Sequence, residues 1–201
     1  MIRIRPARMV DLPGVGVVLA EAFSDKLRII FGSQPDKIQT LLEAMYTGPV
    51  QRGYDGVLVA DLDGRVVGTT VIQPTYTPQE NRVFESIAVR ELGLPRMLRA
   101  SFMLWLLGHN AAPDEAYISD VGVASDCQGQ GIAQEIMQYA DNWAYERGYK
   151  RLTLWVAETN APAIHVYEKA GFSVIRTRSS WLTRLVFGIR RWHLMEKRLD
   201  E

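Results

Sequence analysis

Apolar and polar residues alternate at the start of the chain, Ile2 and Ile4 against Arg3 and Arg5, a period of two that predicts a short strand. Asp11-Leu-Pro13 reads as a helix start with proline in its first turn, and the helix is expected to run to about Ser24. Ile38, Leu41, Leu42 and Met45 give a helical stripe from about Asp36 to Tyr46, which Gly48 and Pro49 are expected to end. Val57 to Leu62 and Val66 to Ile72 are apolar runs flanking Asp63-Gly64, the pattern of a β-hairpin. Val83 to Val89 is expected to extend that sheet or form a further short strand.

Pro95 to Leu107 reads as a helix with no clean single apolar face. Tyr117 to Val123 is rich in β-branched and aromatic residues, a strand, and Ile132, Ile136, Tyr139, Ala140 and Trp143 then recur at helical spacing. A strand over Arg151 to Ala157 precedes a helix from Asn160 to Ala170, stopped by Gly171. Phe172 to Thr177 and Trp192 to Leu199 read as final strands, separated by the apolar connection Trp181 to Ile189. No repeat or linker divides the chain, so residues 1–201 are expected to form one domain, with a helical insertion at about 90–113. The order of elements predicts a mixed α/β sheet, with parallel pairing around the crossover helix at 131–147.

Composition narrows the class. The 201 residues are 47% hydrophobic and 23% charged, ordinary for a globular protein with a sizeable core. Twenty-three basic residues balance 23 acidic ones, so the overall field gives no reason to expect nucleic acid or an anionic membrane as partner. The basic run from Arg176 to Arg198 reads as a solvated charged face. A single cysteine, Cys127, excludes an internal disulfide, and Met-Ile-Arg-Ile-Arg lacks a signal peptide's apolar stretch, so the expected location is cytoplasmic. The longest apolar segment, Leu92 to Leu107, carries Arg96 and Arg99 and is too short to span a bilayer.

The loop Gln128-Gly-Gln-Gly-Ile-Ala133 joins the strand ending at Val123 to the next helix. At a helix N-terminus the first amides lack partners and the macrodipole adds positive potential, so a phosphate can dock there without Lys or Arg. Two glycines also suit an ordinary helix cap, and both readings stand on this segment alone. No Lys-Ser/Thr pair follows, and the loop is too short for the three-glycine dinucleotide fingerprint.

A second segment, Asn160-Ala-Pro-Ala-Ile-His-Val-Tyr-Glu-Lys-Ala-Gly-Phe172, caps a helix with Asn160 and sets Tyr167 two turns in. Gln128-Gly-Gln-Gly-Ile-Ala133 resembles the Q/R-x-x-G-x-G/A signature of the GCN5-related N-acetyltransferases, and Asn160 with Tyr167-Glu-Lys-Ala-Gly-Phe172 resembles their N-x6-Y-E-x-x-G-F signature. The similarity is best across residues 115–172. It implies a single mixed, mostly antiparallel twisted sheet of six to seven strands with helices on both faces, and acetyl-CoA as co-substrate with no metal. By that resemblance the backbone of Val121, Gly122 and Val123 pairs with the pantetheine arm, and Gln128, Gly129, Gln130, Gly131, Ile132 and Ala133 cradle the pyrophosphate. Asn160 matches a residue bonding the cofactor near its reactive end, and Tyr167 the usual general acid beside the sulfur; a core tyrosine on an amphipathic helix is the alternative.

The implied reaction moves an acetyl group to a primary amine by direct attack in a ternary complex. A lysine-like amine, with a pKa of about 10.4, must lose a proton before it attacks. A cysteine-like thiol at about 8.5 against tyrosine at about 10 makes full proton transfer to the leaving thiolate uphill by roughly 2 kcal/mol, so Tyr167 is pictured mainly as a hydrogen-bond donor. The base does not transfer from relatives: the fifth-strand glutamate position is Trp155, and Tyr117 and Ser119 occupy the other usual positions. Asp120 remains, as base, substrate ligand or structural hydrogen-bonding group; alternation turns it from the acceptor side unless an irregularity near Val121 to Val123 redirects it. Glu115, Glu21 and a water chain compete.

Cys127 reads as a passive loop residue, and His109 and His165 have no metal-ligand spacing. The acceptor, a small-molecule or peptide amine, is expected against about 24–47, 90–113 and 178–190, where Phe23, Phe31, Trp105, Trp181 and Phe187 line a site, enclose a homodimer interface or form core. A non-catalytic acetyl-CoA-binding module and a transferase of longer acyl groups are the rival functions.

Overall fold

In the computed structural model, which describes residues 1–73 and 82–199, seven strands form one sheet in the order β1-β2-β3-β4-β5-β7-β6. Strand β1 (Ile2–Pro6) pairs antiparallel with β2 (Val57–Leu62), and β2 forms the expected hairpin with β3 (Arg65–Gln73). The turn holds Asp63 and Gly64 at φ 51° and 91°, as a two-residue hairpin of this hand requires. β4 (Glu115–Val123) runs antiparallel to β3 but parallel to β5 (Arg151–Ala157), the single parallel pair that the crossover helix implies. β7 (Arg191–Arg198) lies between β5 and the edge strand β6 (Ser173–Ser179), which is exposed throughout and carries Arg176 and Arg178 in solvent. The mixed, mostly antiparallel sheet is therefore as the sequence predicts.

Helices cover both faces, because alternate residues of each strand present apolar surface to opposite sides. On one side Val57, Val59, Val67 and Val71 pack with α1 (Leu12–Ala22), α2 (Ser24–Phe31) and α3 (Pro35–Gln51). On the other, Leu58, Ile72, Ala116, Ile118, Leu152 and Leu154 pack with α6 (Ile132–Glu146) and α7 (Ala161–Lys169). Arg5 ties the start of this assembly together, donating to both oxygens of buried Asp11 at 2.6 and 2.8 Å and to Asp61 on β2.

Four expectations change. The first helix ends at Ala22, where Phe23 takes φ −118° and ψ 22°, and α2 follows at an angle the sequence does not announce. Gly48 and Pro49 do not end α3; burial of Tyr46 and Gly48 continues the apolar face, and Val50 packs on the core beyond them. Val83 to Val89 is not a strand but lies within α4 (Arg82–Leu92), because Ala88 and Leu92 bury at helical spacing. The connection at 181–189 contains α8 (Trp181–Phe187).

α5 (Leu94–Leu107) occupies the segment read as a helical insertion. It buries Ala100 and leaves Leu94, Leu98, Phe102 and Trp105 exposed. Of the five aromatics considered above, Phe31 and Phe187 are core and Phe23 is half-buried, whereas Trp105 and Trp181 are 73% and 77% exposed, which excludes a core role for those two. Among the described residues no helix is long and apolar enough to cross a membrane.

Candidate active site

The site begins with an irregularity in β4. Val71 pairs with Asp120 and Ile72 with Ile118, so Ser119 is an extra residue in that strand. Pairing of β4 with β5 also stops at Ile118 and Leu154. Beyond that point β4 stays with β3 and β5 with β7, and a cleft opens between strands that were neighbours. Ser119, Asp120 and Val121 line one wall, Leu154 to Ala157 the other, and Phe23, Lys26, Asn160 and Tyr167 complete it.

The bulge decides where Asp120 faces. It lies one residue before Asp120 and not at Val121 to Val123, and it turns the carboxylate into the cleft. Asp120 Oδ2 accepts from Tyr46 Oη at 2.9 Å and from Ser119 Oγ at 2.8 Å, while Oδ1 takes no hydrogen bond among the described residues. Burial raises the carboxyl's pKa above the usual value; the two donors and the charge of Lys26 only partly oppose it. Both features suit a group that accepts a proton.

Tyr167 projects from α7 into the same cleft, tilted against Phe172 with ring centroids 6.2 Å apart. Its hydroxyl makes no hydrogen bond among the described residues, and burial together with Asp120 pushes its pKa up to about 12. It therefore stays protonated and able to donate. Asn160 caps α7 through a long 3.4 Å bond from the Ala163 amide to Oδ1, and also borders the cleft.

The loop residues Gln128 to Ala133 sit at the outer end of β4. Ala124 N–H donates to Val67 O, so alternation along the strand turns the polar groups of Val121 and Val123 to the opposite edge, where β5 has departed. Gln128 Nε2 bonds Val123 O on that edge at 3.3 Å. Gly122 faces β3 instead, and a Cβ there would lie 3.1 Å from Ala22 Cβ and 3.2 Å from Val18 Cγ1, so glycine serves the close approach of α1. The amides of Gly129 to Ala133 donate to no group among the described residues. Gly131 caps α6 at φ 83°, a conformation that L side chains resist. An open strand edge, five unpaired amides at a helix start and an unpaired tyrosine hydroxyl together fit an elongated ligand with amides, a phosphate and a reactive end.

The competing bases lie elsewhere. Glu115 is buried, and although burial alone would raise its pKa, hydrogen bonds from His109 at 2.7 Å, the Ala112 amide and Thr153 hold it at about 2. Glu21 accepts from Ser125 near the loop, outside the cleft. His109 is occupied at both nitrogens, since Trp155 Nε1 donates to Nδ1 at 3.2 Å and Nε2 bonds Glu115. Cys127 is buried, and burial pushes its thiol pKa up. No group of His, Cys, Asp and Glu among the described residues is arranged to hold a metal. Sequence reasoning missed Tyr46 on α3, which bonds Asp120, and Lys26 on α2, which lines the cleft; neither carries a spacing signal relative to β4.

The profile described as the acetyltransferase (GNAT) family matches residues 97–172, which contain the bulged strand, the loop and α7. Over those residues the chain is similar to the GNAT family. Streptothricin acetyltransferase of Streptomyces lavendulae is 45% identical over 56 residues, 28% of this chain and 30% of that protein, so the chain spans less than a third of that relative's length in the match. The GNAT fold extends much further. A crystal structure of an acetyltransferase matches with a TM-score of 0.65 at 20% identity over 98% of this chain and 100% of the other. A putative acetyltransferase from Salmonella typhimurium, solved with its cofactor acetyl-CoA, matches with a TM-score of 0.62 at 17% identity over 100% and 95%.

Proposed function

We propose that this protein is an acetyl-CoA-dependent N-acetyltransferase that moves the acetyl group to a primary amine of a small molecule or peptide by direct attack in a ternary complex. The observation that supports it most is the convergence of Asp120 Oδ1 and the Tyr167 hydroxyl, both without partners among the described residues, at the cleft where β4 and β5 separate. In this reading the amides of Gly129 to Ala133 hold the pyrophosphate, with Gln128 at the loop's entry, and the edge of Val121 to Val123 pairs with the pantetheine amides. Asn160 then orients the reactive end. Acetyl-CoA supplies the activated acyl group.

Asp120 takes the proton that the acceptor ammonium must lose, the neutral amine forms the N–C bond as the C–S bond breaks, and the second proton on the new amide nitrogen passes through water to the released thiolate. The Val123 amide, turned to the open edge, polarises the carbonyl. Tyr167 donates a hydrogen bond to the departing sulfur. With its pKa at about 12, proton delivery from Tyr167 to a thiolate is further uphill than for an ordinary tyrosine, so stabilisation of developing charge is its role. A non-catalytic binding module would need no base, and the place of Asp120 in the cleft supports the enzyme reading over it. Incubation with acetyl-CoA, a panel of amines and a thiol reagent tests the proposal: thiol release with at least one amine is expected. Binding of acetyl-CoA with no release on any amine would favour the module, and faster turnover of longer thioesters would replace acetyl by a longer acyl group.

A further inference from the structure

Lys26 enters the cleft from α2, within reach of the charge of Asp120, and is the one positive charge among the described residues that line it. Its ammonium lies 5.0 Å from the Trp192 ring centroid and 5.5 Å from that of Phe23, held between two aromatic faces. It makes no hydrogen bond and no ion pair among the described residues, although it is half-buried. Lysine carries three N–H donors, and a half-buried ammonium without an oxygen partner is under-satisfied. Burial accordingly lowers its pKa, opposed by the charges of Asp120 and Asp25. The cleft thus holds two unsatisfied groups of opposite sign, a carboxylate oxygen and an ammonium.

We infer that Lys26 is a specificity-determining residue that pairs with a carboxylate on the acceptor, so that the substrate class is amines bearing a carboxylate. The inference rests on the N-acetyltransferase reading above. The acceptor amine approaches Asp120 Oδ1, and its carboxylate replaces the missing oxygen partner of Lys26 in a charge-assisted hydrogen bond. The rings of Trp192 and Phe23 fix the ammonium laterally, so little side-chain freedom is lost when the anion arrives. A cationic acceptor such as a diamine meets like charge at the same place.

The test uses the full chain with acetyl-CoA and matched acceptors: α-, β-, γ- and δ-amino acids against their carboxamides, with simple diamines, read by thiol release. A carboxamide's amine is less basic and more often neutral, so preference for the acid runs against intrinsic reactivity. At least one acid is expected to exceed its amide in kcat/KM by about tenfold or more, and Lys26→Gln to reduce that ratio to near unity, as loss of a charge-assisted bond requires. Lys26→Glu is expected to turn the preference toward diamines. Acids and amides turned over equally by the wild-type protein would overturn the inference and leave the N-acetyltransferase reading standing. Acetylation of Lys26 itself when no amine is supplied, located by peptide mass, would also overturn it, making Lys26 an acceptor. No thiol release from any amine would overturn both.

Discussion

The phenol of Tyr46 on α3 donates a 2.9 Å hydrogen bond to Asp120 Oδ2 on β4, across 74 positions of sequence. The bond holds the carboxylate at the bulge and opposes the upward push of burial on its pKa. Tyr46→Phe removes that opposition, so the Asp120 pKa rises further. A base works only when deprotonated, so the acid limb of the kcat/KM profile is expected to move to higher pH, with the largest relative loss at mildly acid pH. A limb that stays in place would argue that Asp120 is not the base.

Asp120→Asn separates chemistry from stability. Turnover is expected to fall by about two to four orders of magnitude, the usual contribution of general base catalysis. Because the folded-state pKa is raised above the unfolded value, the stability linked to this group is present below the unfolded pKa and lost as pH rises through the folded one. At neutral pH the ionised carboxylate therefore costs stability, and asparagine, which still accepts from Tyr46 and Ser119, should melt at the same temperature or higher. A clear fall in Tm would make the carboxylate a structural group instead.

Tyr167→Phe deletes a hydroxyl that no protein group among the described residues engages, so its removal should leave the fold intact. Turnover is expected to drop by about one to two orders of magnitude while acetyl-CoA affinity barely changes, the pattern of a lost transition-state donor. Equal turnover would sink the assigned role.

Gly131→Val probes the loop. Space is not the constraint, since the nearest atom to an added Cβ is Gln134 Oε1 at 3.9 Å; the left-handed backbone at φ 83° is. A β-branched residue there is strained by about 1–3 kcal/mol and must redirect the amides around it. Calorimetric titration is expected to show CoA binding weakened by about tenfold or more, a comparable free energy, while the melting transition stays cooperative. Unchanged affinity would remove the loop from the binding site.

Local signals in the chain determined much of this protein. The Asp63-Gly64 turn, the helix stripes from Ile38 and from Ile132, the loop with Gly131 and the Asn160 cap depend on neighbours within a few residues, and their backbone needs are written in the residues themselves. Val83 to Val89 misled because β-branched residues carry strand propensity that packing of Ala88 and Leu92 overrides. The break between α1 and α2 at Phe23 has no Gly or Pro to mark it. The Asp120 side of the cleft was illegible for a different reason. Whether Asp120 faces inward depends on a one-residue bulge fixed by pairing with Val71 and Ile72 on another strand, while its partner Tyr46 and the cleft-lining Lys26 arrive on separate helices. Sequence spacing encodes neighbours along an element, whereas a buried carboxylate's direction and pKa are set by contacts across elements, which only the packed tertiary structure supplies.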